Sequence, residues 1–484
     1  MRRFGRVTLL LALILAGLTW APVAAAEDDD DVPGAAEYDP LPPDRAWRDS
    51  IRLGDVPAAH DGGGVTVAVI DTGVTRRADL GDRVLARADL SPEGDGLDRY
   101  GHGTHMAGLI AGDGTVSDGS WSGAAPGASL VPVKVAGWNG ATDVSMVIAA
   151  LEWVAVHRER YGIRVVNLSY GTDSSQKWQE DPLNLAVERL WRAGVLVVVG
   201  AGNRGDGGSK IDKPADDPHV LTVGAADTRN TPSPADDVVA PFSARGPTGE
   251  NVAKPDVVAP GVNVVSQRAP GSTVDLARPE ARVGADHAKG SGTSQAAAIV
   301  SGVAARMFDA APALTPDEAK AALTRTASTA LAGVPGAGAG LVDAAAAVNA
   351  ARLGNFSGAR QDVALSLGKG AIDSTRGSFK PYTDWKEAGK PEQLSGEADA
   401  LGRPWSSSEW AQRPWSASRW AASEWARRTA VADGWEPAPA VVAWSGLGDD
   451  EASWIAKSWG DADVLGVPDW IAKSWGTAAW NGAP

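Results

Sequence analysis

Val67-Ala-Val-Ile-Asp71-Thr-Gly-Val74 reads as a buried strand that runs into an acid and then a glycine turn. A strand with one wet face would alternate polar and apolar residues. An unbroken β-branched run instead suits a parallel sheet covered by helices on both sides. Similar runs occupy residues 65–71, 130–135, 165–170, 195–200, 220–224 and 257–259. Helical patterns stand between them. Residues 142–161 carry Val147, Leu151 and Val154 at helical spacing, and 183–193 follow Pro182. Thr315-Pro-Asp-Glu318 supplies an N-cap, a first-turn proline and early acids for a helix over 319–327. The alternation predicts the α/β class: one doubly wound, mostly parallel sheet over residues 46–354 with helices on both faces. Such sheets place their sites at the carboxyl ends of the strands.

The rest of the 484 residues divides by composition. Arg2, Arg3 and Arg6 precede an apolar run from Leu9 to Trp20, and Ala24-Ala25-Ala26 follows. This is the pattern of a secretory signal peptide, residues 1–26, and the apolar run is too short to anchor the chain across ~30 Å of hydrocarbon. The expected location is therefore secreted, with no transmembrane anchor. Residues 27–45 begin with five consecutive acids and read as an irregular lead-in. There are no cysteines, which excludes disulfides, cysteine–metal sites and a cysteine nucleophile. A net charge of −15 argues against a nucleic-acid partner, because phosphate binding needs a basic face.

Beyond Gly354 the apolar periodicity fades. Residues 355–404 read as a linker and 405–484 as a tryptophan-rich repeat tail. Trp405, Trp410, Trp415, Trp420 and Trp425 recur every five residues, and Trp454-Ile-Ala-Lys-Ser-Trp459-Gly460 returns as Trp470-Ile-Ala-Lys-Ser-Trp475-Gly476. A period of five matches neither one helical stripe nor one side of a strand. The tail thus reads as a low-complexity extension outside the core. Two functional readings stand beside that: exposed indoles stacking on cell-wall polysaccharide, with the protein wall-associated, and a propeptide-like inhibitor or assembly segment.

Four segments carry chemistry: the strand ending at Asp71; Gly101-His102-Gly-Thr-His105-Met-Ala-Gly108, a histidine opening a helix; Val199-Gly-Ala-Gly-Asn203, a strand running into an amide; and Gly290-Ser-Gly-Thr-Ser294-Gln-Ala-Ala-Ala298, a serine between a glycine turn and an apolar helix. In the order Asp, His, Asn, Ser, they resemble the subtilisin family of serine endopeptidases. The resemblance runs from about Trp47 to Leu353 and includes Asp256-Val-Val-Ala-Pro-Gly-Val262 and Gly338-Ala-Gly-Leu-Val-Asp343-Ala344. It implies an Asp71/His102/Ser294 triad acting on polypeptides, with Asn203 in the oxyanion hole and no cofactor for the chemistry. The physics fits those roles. A serine hydroxyl needs a positioned base, the base needs an orienting acid, and the tetrahedral intermediate needs N–H donors. His105, on the helix of His102, reads as a structural neighbour. Asp-Thr-Gly also occurs in aspartic proteases, but those require a second such segment, and none is present.

The resemblance implies further features. Ser169, Tyr170 and Gly171, with Gly200, Ala201 and Gly202, would wall the primary specificity pocket and pair with substrate backbone. Asp212 would lie at its base. There it would favour Lys or Arg at the cleaved position, unless it faces solvent or Lys213 neutralises it. Asp79 matches a ligand position for a structural calcium ion, with the loop at 113–122 supplying further oxygens. Gln295 and Ala298 depart from the family pattern, which has methionine and proline there. About 20 residues separate Ala26 from Trp47, too few for the folded pro-domain that many members carry.

Overall fold

The computed structural model describes residues 46–205, 211–378, 380–383 and 392–437. The signal and lead-in segments and the 16-residue repeat lie outside the described residues. The central sheet contains β1 (Thr66–Asp71), β2 (Ala86–Asp89), β3 (Ser129–Lys134), β4 (Ile163–Leu168), β5 (Leu196–Gly200), β6 (Leu221–Asp227), β7 (Val238–Val239) and β8 (Val257–Pro260). β2, β3, β1, β4, β5, β6 and β8 pair in that order, all parallel, while β7 runs antiparallel to β6. Every residue of β1 is buried, as its unbroken Val/Ile run requires.

Two helical layers produce that burial, built from α1 (His102–Ala111), α2 (Val144–Tyr161), α3 (Pro182–Arg192) and α4 (Thr293–Ala310). α1 and α4 pack on each other and against β1, and α4 continues over β4, β5 and β6. α2 and α3 pack together against β1, β4 and β5 from the opposite side. Asp143 and Asp181 cap α2 and α3 by accepting backbone N–H groups of their first turns. α5 (Pro316–Arg325) carries a capping box, with the Thr315 side chain and Glu318 each bonded to the other's backbone. α6 (Ala344–Leu353) then lies along α4 and α5.

The chain beyond Gly354 corrects the sequence reading. The described residues from 355 to 429 form not a linker and a free tail but a strap packed on the α2/α3 layer. Arg376, 1% exposed at its side chain, forms an ion pair with the buried Asp143 at 2.6 Å and donates to the carbonyls of Gly396 (2.8 Å) and Ala398. Three short helices follow, Ser407–Gln412, Ala417–Ala421 and Glu424–Arg428, with Ser406, Ser416 and Ser423 as their N-caps. Each serine restarts a single helical turn. The five-residue period therefore never accumulates around one axis, and Trp410, Trp420 and Trp425 are all buried. The Arg189 guanidinium lies 4.8 Å from the Trp410 ring centre and 5.1 Å from that of Trp415. Indoles spent in this way cannot stack on sugars. The chain then adds Ala430–Asp433 as an antiparallel strand on β2, closing an edge that would otherwise present unpaired backbone groups.

Candidate active site

Asp71 ends β1 and His102 opens α1, at the carboxyl end of the sheet. His102 Nδ1 lies 2.8 Å and 2.9 Å from the two Asp71 oxygens, and both side chains are fully buried. This geometry suits a protonated Nδ1 donating to the carboxylate. Gly103 permits the approach, because a Cβ there would stand 2.1 Å from the Gly73 carbonyl oxygen and 3.1 Å from Asp71 Oδ1. Gly101, at φ 109°, supplies the left-handed turn into the helix.

Two residues that sequence reasoning missed hold this pair. Buried Asp98 accepts from Thr72 Oγ1, Thr104 Oγ1 and Thr104 N, each at 2.7 Å, and from Gly101 N at 2.6 Å. Thr72 Oγ1 in turn accepts Gly103 N–H at 2.9 Å, so one carboxylate ties the end of β1 to the start of α1. Lys134, also buried, donates to the carbonyls of Thr72 and Ala136 at 2.7 Å and pairs with Glu93 at 3.0 Å. Its only sequence signal is a charge inside an apolar strand.

Ser294 is the second residue of α4 and 1% exposed. Its N–H belongs to the first turn, where no intrahelical acceptor exists. Asn203 follows the turn after β5. Its Oδ1 accepts Thr293 N–H at 2.9 Å, which fixes the amide, and its Nδ2 is buried with no hydrogen-bond partner among the described residues. A preorganised N–H donor beside a serine at a helix N-terminus is suited to a developing negative charge. His105 is buried, its Nε2 3.2 Å from the Ala288 carbonyl. Burial, reinforced by the nearby His102, lowers its pKa to about 3, so it stays neutral. Gln295 is fully buried, and neither amide atom has a hydrogen-bond partner among the described residues.

The two expected pocket walls lie either side of Asp212. Asp212 N donates to Ala201 O at 3.1 Å, while Thr172 and Lys213 exchange backbone bonds at 3.1 and 2.9 Å. A Cβ on Gly171 would stand 2.7 Å from Asp212 Cβ, and one on Gly202 would stand 2.3 Å from Asp212 Oδ2. Ser169 Oγ accepts from Asn167 Nδ2 at 3.1 Å, and Tyr170 is 6% exposed. Gly200 abuts Thr293, the residue before the serine. Asp212 does not face solvent, and Lys213 does not neutralise it: Lys213 pairs with Asp216, and Arg204 Nε binds Asp212 at 2.9 Å. Burial pushes the Asp212 carboxyl up to about 7, with the Arg204 charge opposing the rise.

Asp79 does not fit a calcium ion. Its Oδ1 accepts Val116 N–H at 2.8 Å, and its Oδ2 accepts Gln267 Nε2. The Arg83 guanidinium donates to the carbonyls of Asp79 and Ala111 and pairs with Asp113 at 3.2 Å. Donors stand where a hard cation would need oxygen lone pairs.

The chain is similar to proteins of known family. A profile of the subtilase family (peptidase S8) matches residues 62–358. The serine protease AprX of Bacillus subtilis (strain 168) is 43% identical over 265 residues, covering 54% of this chain and 60% of AprX. The chain thus spans less than two thirds of that relative. Subtilisin Savinase of Lederbergia lenta is 38% identical over 296 residues, 60% of this chain and 94% of that protein. A solved protease from Pseudoalteromonas arctica PAMC 21717 superposes with a TM-score of 0.51 at 27% identity, covering 64% of this chain and 99% of that one.

Proposed function

The chain belongs to the subtilase family of serine-type endopeptidases, and we propose that it cleaves polypeptides through an acyl-enzyme on Ser294. The observation that carries this reading is the buried Asp71–His102 pair, with Nδ1 held by both carboxylate oxygens. Ser294 Oγ attacks the scissile carbonyl carbon and its proton passes to His102 Nε2. Asp71 keeps the imidazole in the required tautomer and stabilises the imidazolium. Asn203 Nδ2 and the Ser294 N–H hold the oxyanion. The C–N bond then breaks, with His102 returning the proton to the leaving amine, and water hydrolyses the ester by the same route.

The specificity reading follows from Arg204. With Asp212 already paired to a guanidinium, the pocket between Gly171 and Gly202 favours an uncharged side chain at the cleaved position. A basic substrate would have to compete with Arg204 for the same carboxylate. Export rests on residues 1–26, the segment that ends at Ala26. Among the described residues no helix is long and apolar enough to cross a membrane. Wall association would rest on tryptophans after Pro437.

The test is hydrolysis of N-acylated peptide anilides with Phe, Leu, Lys or Arg at the cleaved position, by the purified chain and its His102→Ala variant. Turnover, favouring Phe or Leu and lost in the variant, is expected. A folded wild-type chain that turns over none of them would refute the enzymatic reading.

A further inference from the structure

Away from the triad, three buried side chains converge: Glu188 on α3, and Asp217 and His219 on the turn before β6. One ligand-type atom from each lies within 4.8 Å of the others. His219 Nδ1 is 3.5 Å from Glu188 Oε1 and 3.5 Å from Asp217 Oδ1. That exceeds the usual N–H···O range, and Nδ1 is buried with no hydrogen-bond partner among the described residues. His219 is only 5% exposed, so a buried ring nitrogen points into a pair of carboxylates at ion-pair distance, with no hydrogen bond to either.

The spacing has a chemical meaning. Ligands 2.0–2.1 Å from a tetrahedral ion stand about 3.4 Å from one another. One imidazole nitrogen and two carboxylate oxygens also form a donor set that zinc accepts, whereas calcium asks for six to eight oxygens. The surroundings fix both carboxylates as metal ligands usually are. Ser366 N–H donates to both Glu188 oxygens at 3.0 and 2.8 Å. Asn184 Nδ2 donates to Asp217 Oδ2 at 3.2 Å, and Gln361 Nε2 donates to the His219 carbonyl at 3.0 Å. Two of these supports, Ser366 and Gln361, come from the strap.

The geometry points to a structural zinc site formed by Glu188, Asp217 and His219, with water as fourth ligand, fastening the start of the strap to the α3 side of the domain. An ion there would tie α3, the turn before β6 and residues 361–366 into one unit. None of the three residues belongs to the triad or the specificity pocket.

The experiment uses the full chain carrying Ser294→Ala, so that self-digestion does not intervene. The protein is dialysed against chelator and titrated with zinc chloride by calorimetry, with metal content and melting temperature measured in parallel. One zinc per chain is expected, with a rise in melting temperature of about 5 °C at ~100-fold excess over the dissociation constant. His219→Ala and Glu188→Gln should each lose the uptake and the shift. In chains with Ser294 intact, the same substitutions should leave kcat near that of wild type at 25 °C. The idea is overturned if wild type takes up no zinc, or if His219→Ala, folded by circular dichroism, takes up as much. Either result would leave His219 as an imidazolium between two carboxylates.

Discussion

Along β1, β4 and β5 the backbone is paired to neighbouring strands, and Val, Ile and Leu side chains fill both faces. Along residues 405–433 the chain does the reverse. It restarts a single helical turn at each of three serines, holds itself by indoles and arginines, and pairs as a sheet strand in Ala430–Asp433. The first is buried almost throughout and the second chiefly at its Trp410, Trp420 and Trp425 anchors, and only the first carries the pattern of a continuous element. Each strand of the sheet is specified by its own apolar run and could form with many apolar sequences. The strap is specified by its floor, the outer surface of α2 and α3, and has little reason to hold its shape without it.

The contrast predicts that substitutions at the carboxyl ends of the sheet reach catalysis and substitutions in the chain beyond Gly354 reach stability. The largest effect belongs to Ser294→Ala. It should lower kcat by about 10⁶, the size seen for the same change in a subtilisin, with the urea midpoint unmoved. A large fall in stability would mean that the serine turn is a packing element as well. Next comes Arg376→Ala, which leaves Asp143 buried and uncompensated and should cost about 3–5 kcal/mol in unfolding free energy. If stability is retained, the strap is not part of the folded core. Trp420→Ala removes a buried indole and should cost about 3–5 kcal/mol while kcat/KM stays near wild type.

Asn203→Ala returns to the site. It should lower kcat by about 10²–10³ with little change in KM, as removal of an oxyanion donor does in subtilisin. Equal losses for substrate binding and turnover would contradict the oxyanion role. The smallest effect is expected of Arg204→Ala. At alkaline pH, where the buried Asp212 carboxyl is ionised without Arg204's help, unmasking it should raise kcat/KM for Lys or Arg substrates over Phe substrates by about tenfold, roughly 1.4 kcal/mol. An unchanged ratio would place the Asp212 carboxylate out of reach of the substrate.

What the sequence disclosed follows the same division. All six strand runs read from Val/Ile texture became strands of the central sheet, because burial on both faces leaves a local signature. Asp71, His102, Asn203 and Ser294 were legible because each sits in a short glycine-marked segment of its own. Asp98 and Lys134 were not, since their importance lies in partners on other segments, 26 residues away for Thr72–Asp98 and 62 for Lys134–Thr72. Arg204 was overlooked because charge at a pocket base was sought next door, at Lys213. The calcium expectation at Asp79 finds no fit among its hydrogen bonds, because a matching acid says nothing of whether its neighbours accept or donate. The strap was misread because a five-residue period was tested against continuous helices and strands, while the chain uses serine-capped single turns.

The central claim is that Ser294 is the nucleophile of the buried Asp71–His102 pair. Its most direct measurement is the intact mass and peptide map of the purified chain after treatment with an aryl sulfonyl fluoride. The account predicts one adduct per chain, on Ser294, with peptide hydrolysis lost in proportion, and no adduct in the folded His102→Ala variant. An adduct on another residue, or hydrolysis that persists with Ser294 fully modified, would contradict it.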